Sequence, residues 1–86
     1  MTVGQFTNPV EEMEGVRRAA LVRKAVGALP EHHRNVLIWR DFEGREYSEI
    51  SEILGCSVGG AKLRVLRARR ALKDRLEPLL QAGEKG

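Results

Sequence analysis

The side chains of this sequence best suited to chemistry are cations, and they crowd into one short stretch of its second half. Between Ser57 and Leu76 the sequence has seven lysines and arginines and a single acid, Asp74. Residues 29–56, in contrast, carry three basic and six acidic side chains. Lysine and arginine at this density bind phosphate groups through charge and hydrogen bonds, so the chemistry they indicate is binding of a polyanion.

The same stretch has an apolar repeat that places it in a helix. Seven apolar residues follow one another at spacings of three and four, which is the period of one helical face. They are Val58, Ala61, Val65, Ala68, Leu72, Leu76 and Leu79. A solvated basic helix is the simplest alternative, but the near absence of acids on the remaining faces favours a surface that binds nucleic acid.

Two further helices are predicted to precede residue 45. Asn8-Pro9 is typical of a helix start, and Pro30 ends this first helix. Pro30 also opens a second helix, with Trp39 and Phe42 as core candidates, and Gly44 ends it. The expected apolar face of the first helix is Met13, Val16, Ala20, Leu21, Ala25 and Leu29.

The third helix is short and ends at Gly55, which suits a left-handed turn. It starts either after Ser48 or one to two residues earlier, where Glu46 would be a poor cap. Ser57 caps the fourth helix, and Pro78 is expected to fray or kink its last turn. We therefore predict an all-α fold, a compact four-helix domain at residues 9–80, with a flexible lead-in at 1–8 and a flexible tail at 81–86.

The length and composition restrict the class of protein. A chain of 86 residues is one small domain with a modest core. A lone cysteine, Cys56, excludes an internal disulfide and is expected to be a partly buried turn residue. No apolar run approaches the length of a membrane span, so we expect a cytoplasmic protein that binds neither membrane nor small-molecule substrate. No nucleophile–base pair or metal cluster is visible, which predicts no enzyme activity, no metal and no cofactor.

The third and fourth helices have the layout of a helix-turn-helix at about residues 47–73. Only Gly55-Cys56-Ser57 separates them, and Ser51 is small enough to lie where the two helices cross. In this motif the start of the second helix enters the major groove of DNA. The groove-facing candidates are Val58, Gly59, Gly60, Lys62, Leu63, Arg64 and Arg67. The paired glycines favour a close approach of the backbone to DNA.

Other clusters have simpler interpretations. His32 and His33 are expected to be exposed and to point to different sides of a helix, without a third metal ligand. The acids Glu43, Glu46, Glu49 and Glu52 are expected to be solvated charges. Partial burial and an apolar docking patch are equally compatible with Leu63, Leu66, Leu79 and Leu80.

The order of motifs resembles region 4, the promoter-binding region, of bacterial sigma factors of the extracytoplasmic-function (ECF) group. The resemblance covers roughly Glu11 to Leu80, through "ALPEHHRNVLIWRDFEG" and then "YSEISEILGCSVGGAKLRVLRARRAL". It implies binding of double-stranded promoter DNA at the minus-35 element, docking on the β flap of RNA polymerase core, and control by an anti-sigma factor. It also implies a bacterial cytoplasmic protein that is nucleoid-associated when active.

The resemblance also assigns individual residues. Lys62, Leu63 and Arg67 match positions that face bases or nearby phosphates, and Gly60 and Arg64 match positions that contact the backbone. Arg40 and Tyr47 match phosphate contacts from outside the recognition helix. The expected DNA-binding set is Arg40, Tyr47, Val58, Gly59, Gly60, Lys62, Leu63, Arg64, Arg67 and Arg70. The family often has threonine at Gly60, a small polar residue at Leu63 and serine at Glu46, so base preference cannot be carried over.

Three alternatives stay open at this point. The region of sigma factors that binds polymerase most strongly is missing, which favours a fragment of a longer sigma factor over a free-standing protein. A DNA-binding effector domain of a response regulator has a similar four-helix layout. A module that acts mainly through protein–protein binding would present its basic face to an acidic partner instead.

Overall fold

A computed structural model describes the backbone of residues 9–85 and the side chains of residues 15–81. Four helices follow one another, with no strand among these residues. They are α1 (Pro9–Ala28), α2 (Glu31–Leu37), α3 (Tyr47–Leu54) and α4 (Val58–Lys85), and a π-helical segment (Ile38–Phe42) continues α2. The prediction of an all-α fold with four helices is confirmed. The expected lead-in at residues 1–8 lies outside the described residues.

The core is built on the apolar stripe of α4. Ala61, Val65 and Ala68 are each 0% exposed, and α1, α2 and α3 all contact this helix. Further along α4 the predicted stripe continues as half-buried leucines, Leu72, Leu76 and Leu79. Val58 was expected in the stripe but is 43% exposed, because the first turn of α4 projects beyond the helices that cover the rest.

Among the described side chains of α1, the buried ones lie in the C-terminal half of the helix. Ala25 and Leu29 are buried as expected, and so is Val26. The prediction was wrong for Val16, which is 71% exposed, and for the exposed Ala20. These residues lie more than a turn before the contact with α4, while the side chain of Met13 lies outside the described residues.

The guanidinium of Arg34 ties the end of α1 to α2. It donates hydrogen bonds of 3.4 Å to the backbone carbonyls of Gly27 and Leu29. The last carbonyls of a helix have no partner inside the helix, and a cation there also complements the helix dipole. Arg34 therefore stabilises the chain reversal at Pro30.

The π-helical segment was not predicted from the sequence, which indicated one ordinary helix up to Gly44. The N–H of Glu43 donates to the carbonyl of Ile38 at 2.9 Å, one residue further back than in an α-helix. Trp39 is half-buried against the core, as expected. Phe42 was expected in the core but is 56% exposed, because the wider turn places it on the outer side.

Asp41, in the same segment, forms a two-point ion pair with Arg69 of α4. The Nε of Arg69 donates to Oδ2 of Asp41 at 3.1 Å, and its Nη2 donates to the other carboxylate oxygen. This hydrogen bonding with Asp41 raises the pKa of Arg69 above its usual value. The pair joins residues 28 positions apart and fixes the π-helical segment against α4.

The start of α3 corrects one expectation about its cap. Glu46, considered a poor cap, is the N-cap residue, with extended backbone (φ −71°, ψ 150°), and Ser48 lies inside the helix. The backbone N–H of Glu46 donates to the carboxylate of Glu49 at 3.4 Å. Glu49 is the third residue of the helix, and its carboxylate thereby pairs a backbone N–H that the helix itself leaves free.

The turn between α3 and α4 has the geometry that its glycine and serine predict. Gly55 has φ 68° and ψ 36°, and the N–H of Cys56 donates to the carbonyl of Ser51 at 3.0 Å. Ser51 is buried where the helices meet, and Cys56 is half-buried, as expected. Ser57 caps α4, because its Oγ accepts a hydrogen bond of 3.0 Å from the N–H of Gly60.

Pro78 was expected to fray or kink the last turn of α4, but it lies inside the helix. The helix continues through it to Lys85, so the backbone of most of the expected tail is helical. Proline removes one hydrogen bond to the carbonyl four residues earlier, here that of Asp74. Both residues are exposed, so water can pair with that carbonyl. That residues 81–86 are flexible stays a prediction.

We expect Gly55→Ala to lower the free energy of unfolding by about 1 kcal/mol or more, because a Cβ is unfavourable at positive φ. Urea denaturation followed by circular dichroism measures the change. Gly55→Asn is the matched variant. Asparagine tolerates this conformation better than alanine, so the free energy of unfolding should fall less. Equal stability of the alanine variant and the unchanged chain would contradict a turn that depends on glycine.

We expect Asp41→Asn to lower the free energy of unfolding by about 0.5–1 kcal/mol, the upper part of the range for partly exposed pairs, because the contact is two-pronged. The control is Asp74→Asn, which removes the same charge from α4. Asp74 forms no ion pair among the described side chains, so its change should stay within about 0.5 kcal/mol. An equal decrease in the free energy of unfolding in both variants would show that only the net charge, and not the contact with Arg69, affects stability.

Candidate nucleic-acid interface

The outward side of α4 presents cations that have no acidic partner among the described side chains. Lys62, Arg64, Arg67 and Arg70 are all exposed, and none forms an ion pair with a described side chain. Lys73, one turn further on, lies 3.9 Å from the carboxylate of Glu77. Since the opposite side of the helix is the core stripe, the free cations form one continuous surface.

The first turns of α4 combine this charge with an open backbone and exposed apolar side chains. A Cβ at Gly59 would meet nothing closer than the Oγ of Ser57, at 3.9 Å. A Cβ at Gly60 would lie only 3.2 Å from the same oxygen, so glycine at this position leaves room for the serine cap. Val58 and Leu63, which is 44% exposed, offer apolar contact beside the cations.

Tyr47 connects the start of α3 to this surface. Its ring packs against the core, while the guanidinium carbon of Arg40 lies 4.2 Å from the ring centroid and the Nζ of Lys62 lies 5.7 Å from it. Cations over an aromatic face are attracted by its negative charge density. Arg40 also donates to the carbonyl of Arg45 at 2.8 Å, so its head group is held in place.

The acids near this surface are largely paired with Arg45. Its Nε donates to Glu43 at 2.7 Å, and its Nη1 lies 3.8 Å from Glu49. The hydrogen bond with Glu43, and then the charge of that carboxylate, raise the pKa of Arg45. All four acids from Glu43 to Glu52 are exposed, which fits their interpretation as solvated charges.

The arrangement of the two histidines differs from the prediction. Instead of pointing to different sides of the helix, their ring centroids lie 4.1 Å apart. His32 is exposed and His33 is half-buried. Partial burial, and then the charge of His32, lower the pKa of His33. Both rings line a cavity of about 290 Å³ that Arg64 and Arg67 also line.

Nine of the ten sequence-predicted residues lie on the helix-turn-helix, and Arg40, from the π-helical segment, packs against Tyr47. Eight of them lie on α4, and Arg40 and Tyr47 join them through Lys62. Their roles toward DNA stay predictions. Sequence reasoning missed the histidine cavity and the pairing of Asp41 with Arg69, because no local signal shows which distant residues will meet.

Two further searches cover only the described part of the chain. Residues 9–85 include no helix with the length and apolar character needed to cross a membrane. Within the same part, no three histidine, cysteine or acidic side chains lie together in an arrangement that could hold a metal ion.

Comparison with known proteins identifies the family. Residues 19–72, more than half of the chain, match the family described as Sigma-70, region 4. RNA polymerase sigma-H factor of Pseudomonas aeruginosa is 40% identical over 62 residues, which cover 72% of this chain and 32% of that protein. ECF RNA polymerase sigma-E factors of Salmonella typhimurium and Escherichia coli K12 are each 31% identical over 77 residues, covering 90% of this chain and 40% of theirs.

The chain therefore spans between a third and two fifths of the length of these relatives. The family match falls on α2, α3 and most of the packed part of α4, which are the elements that form the core and the basic surface. The resemblance inferred from the residues alone is confirmed: the chain belongs to the sigma-70 region 4 family.

Proposed function

We propose that this chain recognises promoters for transcription initiation, as part of a longer ECF sigma factor. The observation that carries the proposal is the division of α4 into two sides. One side is fully buried at Ala61, Val65 and Ala68. The other presents exposed cations, of which Lys62, Arg64, Arg67 and Arg70 form no ion pair with a described side chain. A helix held in this way can enter a groove of DNA without disturbing its own core.

The ligand we propose is the minus-35 element of double-stranded promoter DNA, bound in the major groove by the helix at residues 57–76. Lys62, Leu63 and Arg67 would face base edges or nearby phosphates, and arginine or lysine at a base edge pairs best with guanine. Leu63 has no hydrogen-bonding group, so its contact would be apolar, as with a thymine methyl. Gly60, Arg64 and Arg70 would lie against the backbone.

Arg40 and Tyr47 support this proposal from outside the recognition helix. The guanidinium of Arg40 is fixed by the carbonyl of Arg45 and by the ring of Tyr47, and the same ring lies under Lys62. A cation that is already ordered loses less conformational entropy when it binds a phosphate. These contacts would set the position of the chain on the duplex, while α4 would supply sequence preference.

The partners we propose beyond DNA are the β flap of RNA polymerase core and an anti-sigma factor, in the bacterial cytoplasm. An apolar groove on the distal half of α4 supports a protein partner. Leu72, Leu76 and Leu80 line it, with Arg69, Lys73 and Glu77 at its edges. Leu80 is exposed, so an apolar surface is available away from the DNA-facing turns.

We expect Lys62→Ala and Arg67→Ala to abolish enrichment of a sequence motif when the chain is titrated against a pool of short random duplexes. Binding is measured by fluorescence anisotropy at low salt, and the bound fraction is sequenced. Each lost phosphate contact should lower the slope of log K against log salt by about one unit. A lost bidentate base contact should weaken binding by about 1–3 kcal/mol and relax specificity at one position.

The control for these variants is Arg18→Ala, which removes an exposed arginine from α1. It should leave the motif and the affinity unchanged. All three variants should retain binding to RNA polymerase core. Salt-independent binding, or loss of polymerase binding together with unchanged DNA binding, would contradict the proposal and favour a module that acts through protein contacts.

We expect Gly59→Ala to stabilise the chain and weaken DNA binding. Alanine is favoured over glycine inside a helix by up to about 1 kcal/mol, and the added Cβ has room in the free protein. Gly15→Ala in α1 is the matched control, since its Cβ also meets nothing within 4 Å. The Gly15→Ala variant should have a higher free energy of unfolding and an unchanged DNA affinity. Equal DNA affinity of both variants would show that the backbone at Gly59 does not approach DNA.

A further inference from the structure

The cavity between α2 and α4 is the strongest unassigned feature of the molecule. His32 and His33 line it from the first turn of α2, and Arg64 and Arg67 line it from α4. The remaining lining residues are apolar, Val36 and Leu54, and Val36 is fully buried. Four of the six lining side chains can carry positive charge and none can carry negative charge. This composition is suited to binding an anion.

The charges around this cavity come from each element packed there. The helix α4 contributes the two arginines, and neither is paired with an acid among the described side chains. The helix α3 contributes only the uncharged Leu54. The nearest carboxylate along α2 is Glu31, which lines a neighbouring cavity on the other side of His32. Among the side chains that the structure describes, no acidic one lines the cavity itself.

The histidines are the part of this site that responds to pH. Their rings lie 4.1 Å apart, and partial burial together with the charge of His32 lowers the pKa of His33. In the free chain, therefore, His33 is neutral near pH 7. An anion in the cavity favours the charged imidazolium, so the pKa must rise when an anion binds. By linkage, protonation must then strengthen anion binding by the same factor.

We propose that this cavity seats one phosphate of the DNA backbone between His32, His33, Arg64 and Arg67, and that proton uptake by His33 accompanies DNA binding. The inference rests on the proposed function and extends it, because it makes promoter affinity depend on pH. A DNA phosphate is favoured over a carboxylate of a protein partner by position. Arg67 both lines the cavity and belongs to the α4 side chains proposed to face the DNA, so the cavity adjoins the surface proposed to enter the groove.

The sign of the effect follows from the direction of the pKa change. Bound DNA holds His33 protonated at a pH where it is neutral in the free chain, so affinity rises as the pH falls through that interval. The largest possible gain is about tenfold per pH unit for each proton taken up. Between about pH 8 and pH 6 we expect a gain of about three- to tenfold.

The test is a fluorescence-anisotropy titration with a short duplex at constant ionic strength from about pH 8 to pH 6. Phosphate contacts carry no sequence information, so a duplex of arbitrary sequence serves. The double variant His32→Gln, His33→Gln removes both histidines of the chain, and its affinity should be nearly constant over this range. The control Glu31→Gln changes a neighbouring side chain and should keep the full pH dependence.

A second measurement does not depend on the folding of any variant. The imidazole resonances of the unchanged chain, followed by NMR with and without duplex, should titrate at higher pH when DNA is bound. DNA affinity independent of pH, or unchanged histidine titration on binding, would overturn the inference and leave the proposed function intact. Absence of salt-dependent DNA binding would overturn both, and an equal pH response with poly-glutamate in place of DNA would assign the cavity to an acidic protein.

Discussion

The burial of three small residues on α4 is the constraint on which the rest of this structure depends. Ala61, Val65 and Ala68 have no exposed surface, and all three other helices pack against this helix. Small side chains let helix axes approach closely, so a chain of 86 residues can build a core around one helix. Because the stripe determines which side of α4 faces inward, it also determines which cations face outward.

The cations of the chain form two groups, those that stabilise the fold through contacts within the chain and those that face solvent. Arg34 pairs with the carbonyls at the end of α1, Arg69 pairs with Asp41, and Arg45 pairs with two glutamates. These contacts hold helix ends and the π-helical segment in place. Lys62, Arg64, Arg67 and Arg70 of α4 form no ion pair with a described side chain, so the surface proposed to meet DNA consists of charges that these contacts do not use.

Much of this arrangement was predictable because it depends on local chemistry. The spacing of apolar residues predicted α4 and its buried stripe, and Gly55 and Ser57 predicted the turn and the cap that they form. What escaped prediction depends on distant partners. The π-helical segment has no local breaker and is held by an ion pair 28 residues away, and the histidine cavity exists only where α2 meets α4. Sequence periodicity shows which face of a helix is apolar, but not which helix will cover it, as the exposed Val16 and Phe42 illustrate.

The two-sided character of α4 also has a consequence for how such a chain can change over evolutionary time. The inward positions accept almost no substitution, because a residue larger than alanine at Ala61 or Ala68 would have to displace the helices packed on it. Positions such as Leu63 and Arg70 point into open solvent, where most substitutions hardly affect stability. The two sides of α4 can therefore change almost independently. Outward residues can be replaced one at a time, by selection or by an engineer, while the fold stays as it is.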